Sequence, residues 1–134
     1  MDRLNALDPF IRFTCERSQP GAEFELPTEA VEVLPFLDLM VIRYLDPLTN
    51  TLSNKICIYR KKCHSASYIH SLSNQPTSMK SSVIRNMFLR AYRYCDREFL
   101  EKGEKKIYDD FDALGYSKDF ITRAKVSAKE GRAR

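Results

Sequence analysis

The spacing at which apolar residues recur changes once along this chain, and that change limits what the chain can fold into. Between Leu34 and Lys61, apolar residues form two short runs rich in β-branched and aromatic side chains. From Ser78 onward, apolar residues recur at helical spacing instead. The order predicts an α+β domain, with a small antiparallel β-sheet (a hairpin plus one strand) followed by two to three α-helices.

The sheet part is predicted from three strand-like runs and two turn signals. The central run is nearly all apolar, as expected of a single strand buried on both faces. A short polar loop, Asp46–Asn50, joins it to the next run and predicts a hairpin. A turn is expected at Ser18–Gly21, and Ala22–Glu32 is expected to be a loop or insert. The three predicted strands are Phe10–Glu16, Leu34–Tyr44 and Leu52–Lys61.

The helical part is predicted from period and from capping residues. Ser78–Cys95 carries an apolar stripe, with Thr77 or Ser78 as the expected N-cap. A second helix is expected within Arg97–Leu114, ended by a left-handed Gly115. Ser117 is expected to cap a third helix. The predicted division of the chain is a sheet at 1–63, a connector at 64–78, helices at 79–128 and a frayed tail at 129–134.

Charge is distributed unevenly along the chain. The net charge is only +4, yet no aspartate or glutamate lies between Pro47 and Cys95, where eight lysines and arginines and both histidines occur. Residues 1–46 carry nine acids and four bases, and residues 96–134 carry nine acids and ten bases. A long basic region interleaved with tyrosines is typical of a surface that binds a polyanion.

Other chemistry has weaker support in the sequence. The spacing of Cys57, Cys63, His64 and His70 lacks the tight Cys-x2–4-Cys turn of zinc sites, so no metal and no cofactor is expected. The four cysteines match no disulfide framework, which favours free thiols. No apolar run is long enough to span a bilayer, and Met1–Asn5 does not resemble a signal peptide. We therefore expect an intracellular protein, cytoplasmic or nuclear.

Two acidic features needed separate interpretation. Tyr108-Asp109-Asp110 is similar to the aspartate pair of polymerases, but it lies in a charged helical context, which favours a solvated helix face. Asp38 lies in the apolar run, where a carboxylate needs a partner. Backbone groups or Arg43 are the expected partners of Asp38.

The remaining signal is the basic region itself. Lysines and arginines neutralise phosphates, and tyrosine rings stack on bases or sugars. We predict contacts to the nucleic-acid backbone, with little base readout. The predicted contact residues are Tyr59, Arg60, Lys61, His64, Tyr68, Lys80, Arg85 and Arg90.

A succession of short motifs also resembles a known family. It resembles the region downstream of the catalytic core in reverse transcriptases of Penelope-like retroelements, a region described as a helix-turn-helix domain. The resemblance spans residues 10 to about 123 and rests on the order of motifs that are each short. The motifs are Phe13-Thr14, Leu34-Pro35-Phe36-Leu37-Asp38-Leu39 with Arg43, Ile58-Tyr59-Arg60-Lys61 with His64, Tyr68-Ile69-His70, Ser73 with Pro76 and Lys80, Val83, Arg90-Ala91, Leu114-Gly115-Tyr116-Ser117 and Phe120-Ile121.

The chain departs from the family pattern at several points. Lys62-Cys63 stands where the family has Pro-Thr, Gln75 stands where it has His, and Ser18–Val33 is longer than usual. The resemblance implies that the hairpin corresponds to the end of the palm and the helices to the thumb. Since the upstream polymerase motifs are missing from the sequence, it implies no polymerase activity here.

The sequence therefore predicts a non-catalytic fragment of a retroelement reverse transcriptase that binds an RNA–DNA template–primer backbone. The expected partners are RNA, DNA or their hybrid, and the missing polymerase core. No membrane and no small-molecule substrate is expected. The alternative is a structural or protein-interaction module, or a degenerate gene fragment without activity.

Overall fold

The computed structural model describes Ala6, Phe10 and residues 14–15, 17–20, 30–60 and 67–132. Within these ranges a four-stranded antiparallel sheet precedes three helices, which confirms the predicted α+β class. The elements are β1 (Gln19–Pro20), β2 (Ala30–Phe36), β3 (Leu39–Leu45), β4 (Leu52–Ile58), α1 (Thr77–Tyr94), α2 (Arg97–Ala113) and α3 (Lys118–Arg132).

The long apolar run is a hairpin, so the prediction of one continuous strand over Leu34–Tyr44 was wrong. Strands β2 and β3 pair antiparallel, with Phe36 opposite Leu39, and the chain reverses at Leu37 and Asp38. Leu37 adopts a φ of 55°, a left-handed conformation that usually selects glycine or asparagine. Because an apolar residue occupies this position, the sequence carried no turn signal. Asp38 therefore lies in a turn and not within a strand.

The second hairpin was predicted correctly. Strands β3 and β4 pair in register, with Met40 opposite Cys57, and the loop between them begins at Asp46. The Leu48 backbone N–H donates to the Asp46 carboxylate at 2.8 Å. This bond is the main reason that the pKa of Asp46 lies below its ordinary value. Asn50, with a φ of 52°, supplies the left-handed residue that this turn requires.

The N-terminal part of the sheet differs from the prediction. Gln19 and Pro20 form the short edge strand β1 opposite Val33 and Glu32, where a turn was expected. Proline is tolerated there because an edge strand leaves one side of its backbone unpaired. Ala30 to Glu32, assigned to a loop, belong to β2. Most of the predicted strand Phe10–Glu16, and residues 22–29 of the insert, lie outside the described residues.

The helices follow the predicted apolar stripes. Their buried positions form one core, to which Ile58 at the end of β4 also contributes. Gly115, with a φ of 78°, follows α2 as predicted, and the Phe120 N–H donates to the Ser117 hydroxyl at 3.3 Å at the start of α3. The buried residues of this core are Ile84, Phe88, Ala91, Tyr92, Ile107, Phe111, Tyr116, Ile121, Ala124 and Ala128.

Two helix ends differ from the prediction. α1 begins at Thr77, its N-cap position is Pro76, and no side chain caps it, so neither Thr77 nor Ser78 is the cap. α3 continues to Arg132, past the predicted beginning of a frayed tail at residue 129. The buried Ala128 explains the extension, because it packs the last turns of α3 against the core. Lys129 near the C-terminus also complements the helix dipole.

The sheet and the helices are joined by direct contacts. Val33, Met40 and Ile42 form a second buried cluster, against which Phe99 of α2 packs. Asp96, between α1 and α2, donates its backbone N–H to the Ile56 carbonyl at 2.8 Å, and its carboxylate accepts from the Ile56 N–H. This contact covers part of the exposed edge of β4, which reduces the open edge of the sheet.

Candidate nucleic-acid interface

Arg60, two residues after the end of β4, points into the protein. Its side chain is 8% exposed and lies 3.6 Å from the carboxylate of Asp110 on α2, which is 16% exposed. The guanidinium also contacts the Met87 sulfur at 3.9 Å and lies 5.8 Å from the Tyr68 ring. Arg60 therefore links the sheet to α1 and α2, and most of its guanidinium is not available to a ligand. Asp110 is half-buried, whereas the sequence predicted a solvated helix face at this aspartate pair. Asp109 is exposed as expected.

Three further predicted contact residues have structural partners. Tyr59 packs against the buried cluster of the sheet. Tyr68 stacks on Phe111 with ring centroids 5.2 Å apart, and burial raises the pKa of its hydroxyl. Lys80 donates from Nζ to the carbonyls of Ser71 and Ser73, each at 2.7 Å. Since α1 has no side-chain cap, Lys80 fixes the loop before α1 instead.

The arginines of α1 flank its exposed face. Arg90 is exposed and forms an ion pair with Asp38 of the β2–β3 turn. Asp38 was expected to bond with backbone groups or Arg43; its partner is Arg90. Arg85 is half-buried, and a Cβ placed on Gly131 of α3 would lie 2.5 Å from its Nη2 atom. Arg85 thus lies at the seam between α1 and α3.

The structure does not describe the rest of the predicted contact set. Lys61 and His64 lie outside the described residues, as does Cys63. The described part of the chain contains no group of three metal-ligating side chains. Cys57 is half-buried, and burial raises the pKa of its thiol to about 11, with the nearby Cys95 adding to the shift. A thiol with this pKa is protonated near neutral pH and is unreactive.

A group of basic residues on α3 was missed. α3 carries five lysines and arginines and only two acids. Lys118, Arg123 and Lys129 are exposed. The charge count over residues 96–134 hid this bias, because the acids of that stretch are concentrated in α2, which has six acids and four bases. Counting charge by predicted helix would have found it.

Glu104 of α2 positions α3 through a half-buried polar network. Its carboxylate accepts from the Tyr92 hydroxyl and from Lys125 Nζ, each at 2.7 Å. Burial alone would raise the pKa of Glu104, but these two hydrogen bonds and the charges of Lys125 and Lys129 lower it overall. Burial and the bond to Glu104 raise the pKa of Tyr92. Lys129 Nζ lies 5.7 Å from the Tyr92 ring, so Lys129 also lies beside α1.

Charge is thus segregated among the helices. α1 carries four bases and no acid, and it packs against α3. We call the exposed and half-exposed cations of these two helices the α1–α3 basic surface. Lys80, Arg90 and Lys125 are set aside because their charged groups already have partners. The remaining members are Arg85, Arg93, Lys118, Arg123 and Lys129. Such a surface attracts polyanions, whereas the exposed face of α2 has mixed charge.

The sequence-family model for the animal helix-turn-helix domain matches residues 67–125. These residues include the loop before α1, all of α1 and α2, and the first half of α3. This segment of the chain is therefore similar to a helix-turn-helix domain, the class of domain that the resemblance implied. The match covers less than half of the 134 residues. No curated protein and no solved structure matches the chain. Among the described residues, no helix is long and apolar enough to cross a membrane.

Proposed function

We propose that this protein binds nucleic acid through the α1–α3 basic surface. The observation that carries the proposal is the charge of two helices that pack against each other. Together they hold nine bases and two acids, and they lie largely within the helix-turn-helix segment. In helix-turn-helix proteins the second helix of the motif enters the major groove while other parts contact the backbone. Here α3 is the second helix of the α2–α3 pair.

The exposed chemistry of α3 favours backbone contacts over base readout. Its solvent-facing residues include Thr122, Arg123 and Val126, which offer one guanidinium and two short side chains. Lys118 and Lys129 are single-point cations that suit phosphates. We therefore expect limited sequence discrimination and a strong dependence on salt, because the affinity comes mainly from phosphate neutralisation.

The finer part of the proposal concerns origin and role. We propose that the chain is a non-catalytic part of a retroelement reverse transcriptase, acting inside the cell on an RNA–DNA template–primer with the polymerase core as its partner. What supports this is the ordered set of motifs in the sequence, together with a helix-turn-helix domain in the expected place. The substrate would be gripped by the helices, and the sheet would hold them in position.

A protein-interaction role is the alternative, favoured by the tip of the β2–β3 hairpin. Phe36 and Leu37 are 61% and 75% exposed there. Adjacent exposed apolar side chains of this size are typical of contact with another protein. In that case the α1–α3 basic surface would be an ordinary solvated surface.

Two matched pairs of charge-neutralising substitutions distinguish nucleic-acid binding from a protein-interaction role. Arg85→Gln with Lys129→Gln removes two charges at the α1–α3 seam, and Lys102→Gln with Lys106→Gln removes two exposed charges on α2. Fluorescence anisotropy with a labelled RNA–DNA hybrid and with a DNA duplex measures affinity. We expect at least a tenfold loss for the seam pair and less than threefold for the α2 pair. Equal losses, or no binding by the unmodified protein, would refute the proposal.

A further inference from the structure

Asp38 sits beside a face of α1 that has no acid of its own. α1 contains four basic residues and no acidic one, so the carboxylate that neutralises Arg90 comes from the β2–β3 turn, 52 positions away in the sequence. Arg90 and Asp38 remain 45% and 41% exposed in this ion pair. Exposed pairs contribute little to stability, so stability alone gives a weak reason for the contact.

Both residues of the ion pair line a small cavity, and a second arginine, Arg60, lines it as well. The cavity has a volume of about 10 Å³, about the smallest that can hold one water molecule. Arg60 lines it, and Arg60 Nε is buried with no hydrogen-bond partner among the described residues. The side chain of Arg60 is 92% buried, the complement of its 8% exposure. The residues around the cavity are Asp38, Leu39, Ile58, Arg60, Met87 and Arg90.

A carboxylate and a phosphate are alternative ligands for a guanidinium. Both present oxygen pairs that match its planar set of donors. A phosphate that replaced the Asp38 carboxylate would meet Arg90 at the surface and the unpartnered Nε–H of Arg60 beneath it. The two arginines come from different parts of the fold, Arg60 from just after β4 and Arg90 from α1, so the site exists only when sheet and helices are packed together.

We propose that Asp38 covers a phosphate-binding site formed by Arg90 and Arg60, and that it competes with the nucleic-acid backbone for Arg90. This inference rests on the proposed function and adds to it an intramolecular competitor. It also explains why an acid occurs in a hairpin tip whose neighbouring residues, Phe36, Leu37 and Leu39, are apolar. In the unmodified protein the Asp38 carboxylate keeps Arg90 occupied, and loss of the Asp38 charge frees Arg90 for a phosphate.

Three variants test the competition. Asp38→Asn removes the competing charge and leaves the backbone carbonyl of Asp38, which accepts the Tyr59 N–H at 2.8 Å. Glu32→Gln is the matched control, because Glu32 also forms an exposed ion pair, with Arg43 at 3.3 Å, but lies on the sheet. Arg90→Ala removes the site itself. Affinity for a labelled 20-base-pair DNA duplex is measured by anisotropy from 50 to 300 mM salt.

We expect Asp38→Asn to raise affinity three- to tenfold at about 100 mM salt, and Glu32→Gln to raise it less than twofold. The slope of log affinity against log salt steepens by about 0.9 for Asp38→Asn, the value for one added phosphate contact on B-form DNA. Arg90→Ala alone changes affinity little, because Arg90 is already occupied. In the Asp38→Asn background, however, Arg90→Ala abolishes the gain.

The failures of the two proposals are distinguishable. If the unmodified protein binds and Asp38→Asn behaves as Glu32→Gln does, the competition is refuted and the proposed function stands. If neither the unmodified protein nor Asp38→Asn binds, both proposals fail. If Asp38→Asn lowers the melting temperature by more than a few degrees, Asp38→Ser provides the same loss of charge. The same gain is required of it, and its absence refutes the competition.

Discussion

The ion pair between Arg60 and Asp110 provides a sharp test of how the sheet is fixed to the helices. Replacing Asp110 by Asn leaves a guanidinium that is 8% exposed without its counter-charge. Breaking a buried ion pair from one side costs about 3–5 kcal/mol. The distance of 3.6 Å is longer than a hydrogen bond, and Asp110 is 16% exposed, so we expect the lower end of that range, about 3 kcal/mol.

The adjacent residue supplies the control. Asp109 is exposed, and Asp109→Asn makes the same chemical change one position away. We expect it to alter the free energy of unfolding by less than about 0.5 kcal/mol, as is usual for surface substitutions. Urea unfolding followed by circular dichroism at the helical band measures both variants. At about 2 kcal/mol per molar urea, Asp110→Asn would lower the midpoint by about 1.5 M.

A double substitution separates lost attraction from an isolated buried charge. Arg60→Met with Asp110→Leu replaces both groups by apolar side chains near Met87, and such replacements are often neutral or stabilising. We expect the double variant to recover most of the stability lost in Asp110→Asn. Equal midpoints for Asp109→Asn and Asp110→Asn would contradict the buried ion pair, as would a double variant less stable than Asp110→Asn.

Four further variants test other parts of the structure by thermal and urea unfolding. Gly103→Ala should stabilise the protein by about 0.5–1 kcal/mol, because a Cβ there meets Ile58 no closer than 3.5 Å and alanine favours helix. Gly115→Ala should destabilise the protein by more than about 1 kcal/mol, because Gly115 has a φ of 78° and the added Cβ would lie 2.7 Å from the Ser71 hydroxyl oxygen. Stabilisation by Gly115→Ala would contradict the turn. Glu104→Gln should destabilise the protein at pH 7 by about 1 kcal/mol. Because folding lowers the pKa of Glu104 from its ordinary 4.5, its contribution is present above that pH and is lost as the pH falls through the lower folded value. The difference from the unmodified protein should therefore shrink as the pH falls below 4.5, and a difference that stays constant would refute the assignment. Lys80→Met should cost about 1–2 kcal/mol, since two backbone carbonyls lose their donor, and amide hydrogen exchange should show faster exchange before α1.

The fold class could be predicted because apolar period and capping chemistry are local. The stripes that contain Ile84, Ile107 and Ile121 are readable from spacing alone, and Gly115 marks a helix end by its need for a positive φ. The β2–β3 turn could not be predicted. Leu37 adopts a left-handed conformation without the residue type that normally signals it, because pairing of the flanking strands imposes the turn.

The candidate site was predicted less well, because sequence shows where charge is concentrated but not which charges are already paired. Arg60 and Lys80 lie in the stretch between Pro47 and Cys95 that has no acid. Yet Arg60 pairs with Asp110, 50 positions later, and Lys80 binds two backbone carbonyls. Such partners depend on tertiary packing. α3 was overlooked for the converse reason, since acids that belong to α2 cancelled its charge in the count.

The salt dependence of nucleic-acid affinity is the most direct test of the central claim. We expect the unmodified protein to bind an RNA–DNA hybrid, and the logarithm of its affinity to fall linearly with the logarithm of the salt concentration. Each phosphate contact on B-form DNA contributes about 0.9 to that slope, so the seam variant Arg85→Gln with Lys129→Gln should flatten it by about 2. The α2 control pair should leave the slope unchanged. A flat response of the unmodified protein between low and physiological salt would contradict the account, as would an equal change of slope in both variants.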